Sequence, residues 1–169
     1  MEEGAVFKFY TNKSYYKFNQ ALISNSKIDD ILEIEKLLNQ ALDKIPSSPG
    51  TYYRGIGKEE IAMLDKLKKG DKVIYENFMS TSKDRSYAGT FARKNFEKTG
   101  EAALIEIQSK NGRSIIKYSD LEKEMEVLHK SKTEFILEDI KDIQILNVFE
   151  HQFEYQPAVK GKVFVLIEK

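Results

Sequence analysis

A cluster of turn-forming residues, Pro46-Ser-Ser-Pro-Gly50, divides the chain into two stretches of different hydrophobic period, and that division constrains the fold more than any other feature. Before it, Ile28, Ile31, Ile34, Leu38, Ala41 and Ile45 recur every three or four residues among Asp, Glu, Lys and Gln. This spacing predicts an amphipathic helix from Ile28 to Ile45 that Pro46 ends. Tyr15, Phe18 and Leu22 mark a shorter helix ahead of it. After the turn, short β-prone runs dominate: Thr51–Arg54, Val73–Tyr75, Phe78–Met79, Ala103–Ile107, Ser114–Ile116, Glu134–Leu137, Ile143–Val148 and Val163–Ile167. Two helices interrupt them. One carries Ile61, Leu64 and Leu67 and closes at Lys68-Lys69-Gly70, and the other runs from about Asp84 to Lys98. Helices first and strands after, without regular βα alternation, predict an α+β fold with mainly antiparallel sheet. The expected organisation is one domain over 1–169, mainly helical in 1–50 and mainly strand in 51–169.

Composition removes whole classes of function. A chain of 169 residues can bury roughly 70% of the surface its unfolded form exposes, so it needs no disulfide staples. It has no Cys, which excludes thiol catalysis, iron–sulfur clusters and Cys-based zinc sites. Two histidines, His129 and His151, cannot by themselves build a His-rich metal site, so no metal is expected. The 27 Lys+Arg balance 27 Asp+Glu, which argues against a nucleic-acid partner, since counterion release needs an excess of cations. The acidic start is unlike a signal peptide, and no apolar run approaches a membrane span, so no membrane partner is expected. The chain reads as cytoplasmic, or as a catalytic piece of something larger. Arg occurs only at positions 54, 85, 93 and 113, which makes each arginine informative.

No P-loop, Rossmann glycine fingerprint, His-Glu-x-x-His or Gly-x-Ser-x-Gly occurs. Three short segments remain: Arg54-Gly55, Phe78-Met-Ser-Thr-Ser82 and Glu124-Met-Glu126-Val-Leu128. If the last is a strand, Glu124 and Glu126 share a face about 7 Å apart, and two carboxylates converge on one site. Such convergence costs energy unless a cation, a developing positive charge or a proton uses it. The alternative is a surface helix, because Ser119-Asp-Leu-Glu122 fits a capping box and Leu121, Met125 and Leu128 lie at helical spacing. Ser80 and Ser82 on a strand share a face and can donate to a carboxylate or a ribose hydroxyl. Ser82 can instead serve as the N-cap of the helix near Asp84. Arg54 offers a planar fork to a diphosphate, or it is a surface salt-bridge residue.

Taken in order, the aromatic-Arg-Gly strand, the Ser-Thr-Ser strand and the Glu-x-Glu-Val-Leu segment resemble the Arg-Ser-Glu class of mono-ADP-ribosyltransferases. That class includes actin-modifying binary toxins and vertebrate arginine-specific ectoenzymes, and the similarity covers about residues 10 to 140. It implies N-terminal helices packed on two mainly antiparallel sheets, with NAD as co-substrate in the cleft between them. Tyr15 and Asn19 resemble the toxins' Tyr-x-x-x-Asn pair beside the nucleotide, and Phe91 falls where the toxins place an aromatic ring near the nicotinamide. The segment Tyr118-Ser-Asp-Leu-Glu-Lys123 corresponds to the turn presenting the glutamates to the protein substrate, with Leu121 where toxins often carry an aromatic residue. Arg93 to Gly100 is longer than its toxin counterpart. The resemblance places Glu124 and Glu126 at the start of a strand.

By the same resemblance, Arg54, with Gly55, Thr81 and Ser82 beside it, holds the nucleotide, and Ser80 bonds the ribose or steers Glu126. Glu126 stabilises the cationic sugar as nicotinamide leaves, and Glu124 meets a guanidinium. The implied function is transfer of ADP-ribose to an exposed arginine of a target protein, with NAD hydrolysis on the side, by a monomer that acts in a cytosol, its own or that of a target cell. A silent NAD- or protein-binding module of the same fold is the alternative.

Overall fold

The structure, a computed structural model, describes residues 3–11, 15–25, 28–118, 125–145 and 158–169. Glu124, His151 and the segment 119–123 lie outside the described residues, as do 146–148 of the strand expected to end at Val148. Three helices come first: α1 (Glu3–Thr11), α2 (Tyr15–Ile23) and α3 (Asp29–Asp43). They are followed by β1 (Gly50–Ile56), α4 (Lys58–Leu64), β2 (Lys72–Tyr75), β3 (Met79–Ser82) and α5 (Arg85–Thr99). The remaining elements are β4 (Ala103–Ser109), β5 (Arg113–Ser114), a 3-10 turn (Ile116–Tyr118), β6 (Glu126–His129), β7 (Thr133–Ile145) and β8 (Val159–Glu168).

The strands run in the order β2-β7-β8-β4-β1-β3-β6-β5. Five strands, β2 to β1, and three, β3 to β5, are joined through one register pair, Tyr53 with Ser82. The two expected sheets therefore meet at that seam. All pairings are antiparallel except β4 with β8, which no local pattern announced. Period-two alternation assigns the faces of the larger sheet. Ala103, Ile105 and Ile107 point into a core with Ile61 and Leu64 of α4. Ala102 and Leu104 point the other way, against Ala88 and Ala92 of α5. The helical stripe of α3 delivers Leu38, Ala41 and Leu42 to a third cluster with α1 and α2, closed by Leu128 of β6 and by Phe78 and Ile115, which flank β3 and β5.

Several boundaries differ from the sequence reading for local reasons. Helix α3 ends at Asp43, three residues before Pro46. Helix α4 ends at Leu64, and Leu67 packs from the turn that follows, where Gly70 adopts φ +92°. The runs at 134–137 and 143–145 belong to one long strand, β7, because Glu138-Asp139 forms a β-bulge and not a break. The run at 114–116 is only two strand residues, Arg113 and Ser114, before the 3-10 turn. Among the described residues, no helix is long and apolar enough to cross a membrane.

Candidate active site

The seam between the sheets positions the polar residues. Strand β3 pairs with β6 so that Ser80 faces Leu128, Thr81 faces Val127 and Ser82 faces Glu126. Alternation then puts Ser80, Ser82 and Glu126 on one face. Ser80 Oγ donates to Glu126 Oε1. Glu126 is only 6% exposed, so the carboxylate is withdrawn from water and held at a fixed angle by this hydroxyl. Thr81 is buried and its hydroxyl donates to Val127 O at 2.7 Å. Ser82 Oγ accepts the Asp84 N–H at 2.9 Å, but the N-cap of α5 is Asp84, whose side chain accepts from Ser86 N.

Strand β6 begins at Glu126, because Met125 lies in the left-handed region at φ +45°. A non-glycine residue there interrupts the strand pleat. Strand pairing therefore begins at Glu126.

Strand β1 supplies Arg54 and Gly55. The Arg54 guanidinium is engaged on two sides: Nε and Nη2 lie 3.4 and 3.3 Å from the two oxygens of Glu60 on α4, and Nη1 donates to Ser80 O at 3.1 Å. Arg54 thus forms an ion pair and also lines the cleft. Burial lowers the guanidinium pKa, but the Glu60 carboxylate more than offsets this and leaves it above the ordinary value, so Arg54 stays charged. Gly55 is required by packing: a Cβ there would lie 2.2 Å from Ala88 O and 2.7 Å from Ala92 N, so α5 can cross β1 this closely only over glycine.

Arg54, Gly55, Ser80, Thr81, Ser82, Glu126, Tyr15 and Phe91 line one cleft of about 300 Å³. The sequence reading missed its aromatic complement, Tyr10, Tyr16, Tyr53 and Tyr87. Tyr87 and Phe91 stack edge to face with centroids 5.4 Å apart, one helical turn from each other on α5. Asn19 is not a lining residue. It stands behind Tyr10, donating from Nδ2 to Tyr10 Oη at 3.1 Å, while its buried Oδ1 has no partner. Burial pushes the Tyr10 hydroxyl well above the ordinary tyrosine range against the opposing Asn19 bond, so it remains protonated.

A larger cavity of about 460 Å³, bounded by His129, Ser131 and Glu168, contains none of these residues. Its two acids are already committed: Glu134 pairs with Lys72 and Lys169, and Glu168 Oε2 accepts from Ser109 Oγ at 2.9 Å, Lys110 N at 2.6 Å and Asn111 N at 2.9 Å. A carboxylate as fully bonded as that of Glu168 is a structural pin. Among the described residues, no group of three His, Asp or Glu side chains is placed to hold a metal ion.

The sequence matches the family described as NAD:arginine ADP-ribosyltransferase over residues 2–144. No curated protein matches it. Among solved structures, Vis, an ADP-ribosyltransferase toxin from Vibrio splendidus, is 21% identical with a TM-score of 0.72, covering 99% of this chain and 72% of Vis in its inhibitor complex. Exoenzyme S from Pseudomonas aeruginosa, in complex with human 14-3-3 protein beta and bound to carba-NAD, is 16% identical with a TM-score of 0.71, covering 98% and 72%. The enzymatic component of the C2 toxin from Clostridium botulinum is 16% identical with a TM-score of 0.72, and this chain covers 43% of it. At these identities the likeness is one of fold.

Proposed function

The chain belongs to the NAD:arginine ADP-ribosyltransferase family, an enzyme family with NAD as co-substrate, and on that premise we propose that residues 1–169 form a catalytic domain that passes ADP-ribose to an arginine of a target protein. The observation that carries the reading is the Ser80–Glu126 hydrogen bond on the wall of a cleft that also holds Arg54. NAD supplies a sugar whose bond to nicotinamide breaks with positive charge growing at the sugar carbon, as in glycoside cleavage. A buried carboxylate held in place beforehand suits that charge, and a contact of this kind is worth on the order of 3 kcal/mol.

The residues present fit the dinucleotide. Arg54 keeps a planar, permanently charged fork at the cleft wall for the diphosphate. Tyr15, Tyr87 and Phe91 offer faces for planar rings. A volume of about 300 Å³ lies at the low end for ligand sites, so the cleft encloses one part of the dinucleotide and leaves the rest on its rim. Glu124 is assigned to the acceptor: two residues from Glu126, it can pair with a guanidinium and draw off its proton. The Vis structure solved with agmatine, a guanidinium compound, supports this choice of acceptor chemistry. Delivery into a target cell is proposed on the same footing, from the toxins that share the fold.

Incubation with NAD, with and without agmatine, tests the reading. Nicotinamide release that rises with agmatine, together with ADP-ribosyl-agmatine, supports it. Release that ignores agmatine indicates a glycohydrolase, and NAD binding without release indicates a silent module.

A further inference from the structure

Every residue that lines the larger cavity, of about 460 Å³, is polar or charged. Small-molecule pockets are mostly apolar, so this one selects a strongly hydrated guest. Its charge selects the sign. Four cations, Arg113, Lys130, Lys132 and Lys169, line it against two acids, Glu134 and Glu168. Glu134 is taken up by Lys72 and Lys169, at 3.2 and 3.6 Å, and Glu168 by one hydroxyl and two backbone N–H groups. Neither acid is left to draw in a cation.

Arg113 is the least compensated of the cations. Its Nε donates to Leu42 O at 3.2 Å and its Nη1 to Asn111 O at 3.0 Å, so two neutral carbonyls fix the guanidinium plane without cancelling its charge. Among the described residues no carboxylate pairs with it and its Nη2 has no acceptor. A planar fork held in this way is set for an oxyanion. Lys130 and Lys132 belong to the turn between β6 and β7, and Lys132 sits at φ +62°, where glycine is the cheaper residue. The turn is nonetheless fixed. Lys132 N donates to Tyr75 O at 2.7 Å, and Ser131 Oγ donates to Glu35 Oε1 at 2.8 Å while accepting from Asn39 Nδ2 at 2.9 Å. A lysine kept against backbone preference in a rigid turn points to a use for its side chain. Lys130 and Lys132 pair with Asp43 and Glu35 of α3, which lie outside the lining. An ammonium has three donors, so each lysine can bind an anion without leaving its partner.

We propose that this cavity binds a polyol bearing more than one phosphate group, either a free sugar or inositol phosphate or the headgroup of a phosphoinositide. A single phosphate fills only a small part of the space, and the cations come from two places, the Arg113 fork and the lysine turn. One phosphate is held by the fork and another by the turn, while the hydroxyls between them meet the polar wall. The cavity shares no residue with the cleft of Arg54 and Glu126, so the site is separate from that of NAD and the inference does not depend on the transfer reaction.

Calorimetry on the full chain at fixed ionic strength tests it, with inositol trisphosphate as the probe and inorganic phosphate and sulfate alongside. The expected result is one trisphosphate per chain, bound about tenfold or more tighter than either inorganic anion, with an affinity unchanged by excess carba-NAD. Lys132→Gly removes one cation and relieves the positive φ, so affinity is expected to fall about tenfold while Tm does not. Arg113→Gln, compared at a temperature where it is folded, is expected to weaken binding by about tenfold or more. Sedimentation with phosphatidylcholine vesicles, plain or doped with phosphatidylinositol bisphosphate, separates the two sources. Binding to the doped vesicles that Lys132→Gly loses assigns the headgroup, and trisphosphate binding without vesicle binding assigns the free polyol. Trisphosphate bound no more tightly than sulfate, displacement by carba-NAD, or affinity undiminished in both variants overturns the proposal.

Discussion

Replacing Gly55 by Ala tests whether the cleft depends on the close crossing of α5 over β1. An added Cβ would lie 2.2 Å from Ala88 O, against an ordinary contact of 3.4 Å or more, so strand and helix must separate by about 1.2 Å. Neither side yields easily. The obstructing atoms are mostly helix backbone, and Ala88 and Ala92 are 2% and 0% exposed, packed in the cluster that holds Leu104 and Ile145. Overpacking of this kind costs about 1–3 kcal/mol, and backbone against backbone belongs at the upper end. About 3 kcal/mol corresponds to a fall of roughly 6–12 °C in Tm for a chain of this size. The same displacement carries Tyr87 and Phe91, both on α5, away from the cleft. A misplacement near 1 Å can cost about 100-fold in rate, so kcat/KM for nicotinamide release should drop by that order. Thermal unfolding and steady-state release measure the two effects separately. A Tm within about 2 °C of wild type and an unchanged kcat/KM would refute the packing argument.

Three further outcomes follow from single contacts. Ser80→Ala removes the hydroxyl that holds Glu126 and leaves a buried carboxylate short of a donor, so kcat should fall about 10- to 100-fold with little change in KM; a change confined to KM would contradict the orienting role. Arg54→Lys exchanges a planar fork for a point charge on both Glu60 and the diphosphate, and calorimetry should show NAD affinity weakened about tenfold or more. An unchanged Kd would place the nucleotide elsewhere. Burial lowers the His129 pKa below its ordinary 6.5, so the folded state keeps the ring neutral while the unfolded state takes up a proton. Stability should therefore fall as pH drops below about 6.5, with a further loss below about 4.5, because Glu168, which burial alone would raise, is held low by the N–H groups of Asn111 and Lys110. His129→Gln should flatten the fall in urea midpoint between pH 7.5 and 5.5, two settings chosen about one unit either side of 6.5. Equal slopes in both proteins would show that His129 does not carry it.

The sequence was most informative where one side-chain period persists. The stripe Ile31, Ile34, Leu38, Ala41 reports one buried face of α3, and the apolar run Ala103–Ile107 became β4, a strand buried on both faces. Helix α1 was not singled out, because its stripe of Val6, Phe7 and Tyr10 is only one turn long, and with it the cleft lost Tyr10. Glu60 was missed because a glutamate in the first turn of a helix already has a local explanation in the helix dipole. Its pairing with Arg54 depends on how α4 folds back on β1, which no local spacing encodes. Asn19 was expected beside the nucleotide; it does not line the cleft but bonds Tyr10, which does, a distinction set by the packing of α1 on α2. The motif glycine, Gly55, was read for its ligand, whereas its contacts show that helix packing demands it as well.

The most direct test of the whole account is nicotinamide release by Glu126→Gln. The substitution keeps the shape of a side chain that is 6% exposed and hydrogen-bonded to Ser80, and removes only its charge. Loss of about 3 kcal/mol of transition-state stabilisation predicts release at least about 100-fold slower than wild type, with NAD affinity and Tm little changed. Release at the wild-type rate from a variant with a normal Tm would contradict the assignment of Glu126 and, with it, the catalytic reading of the cleft.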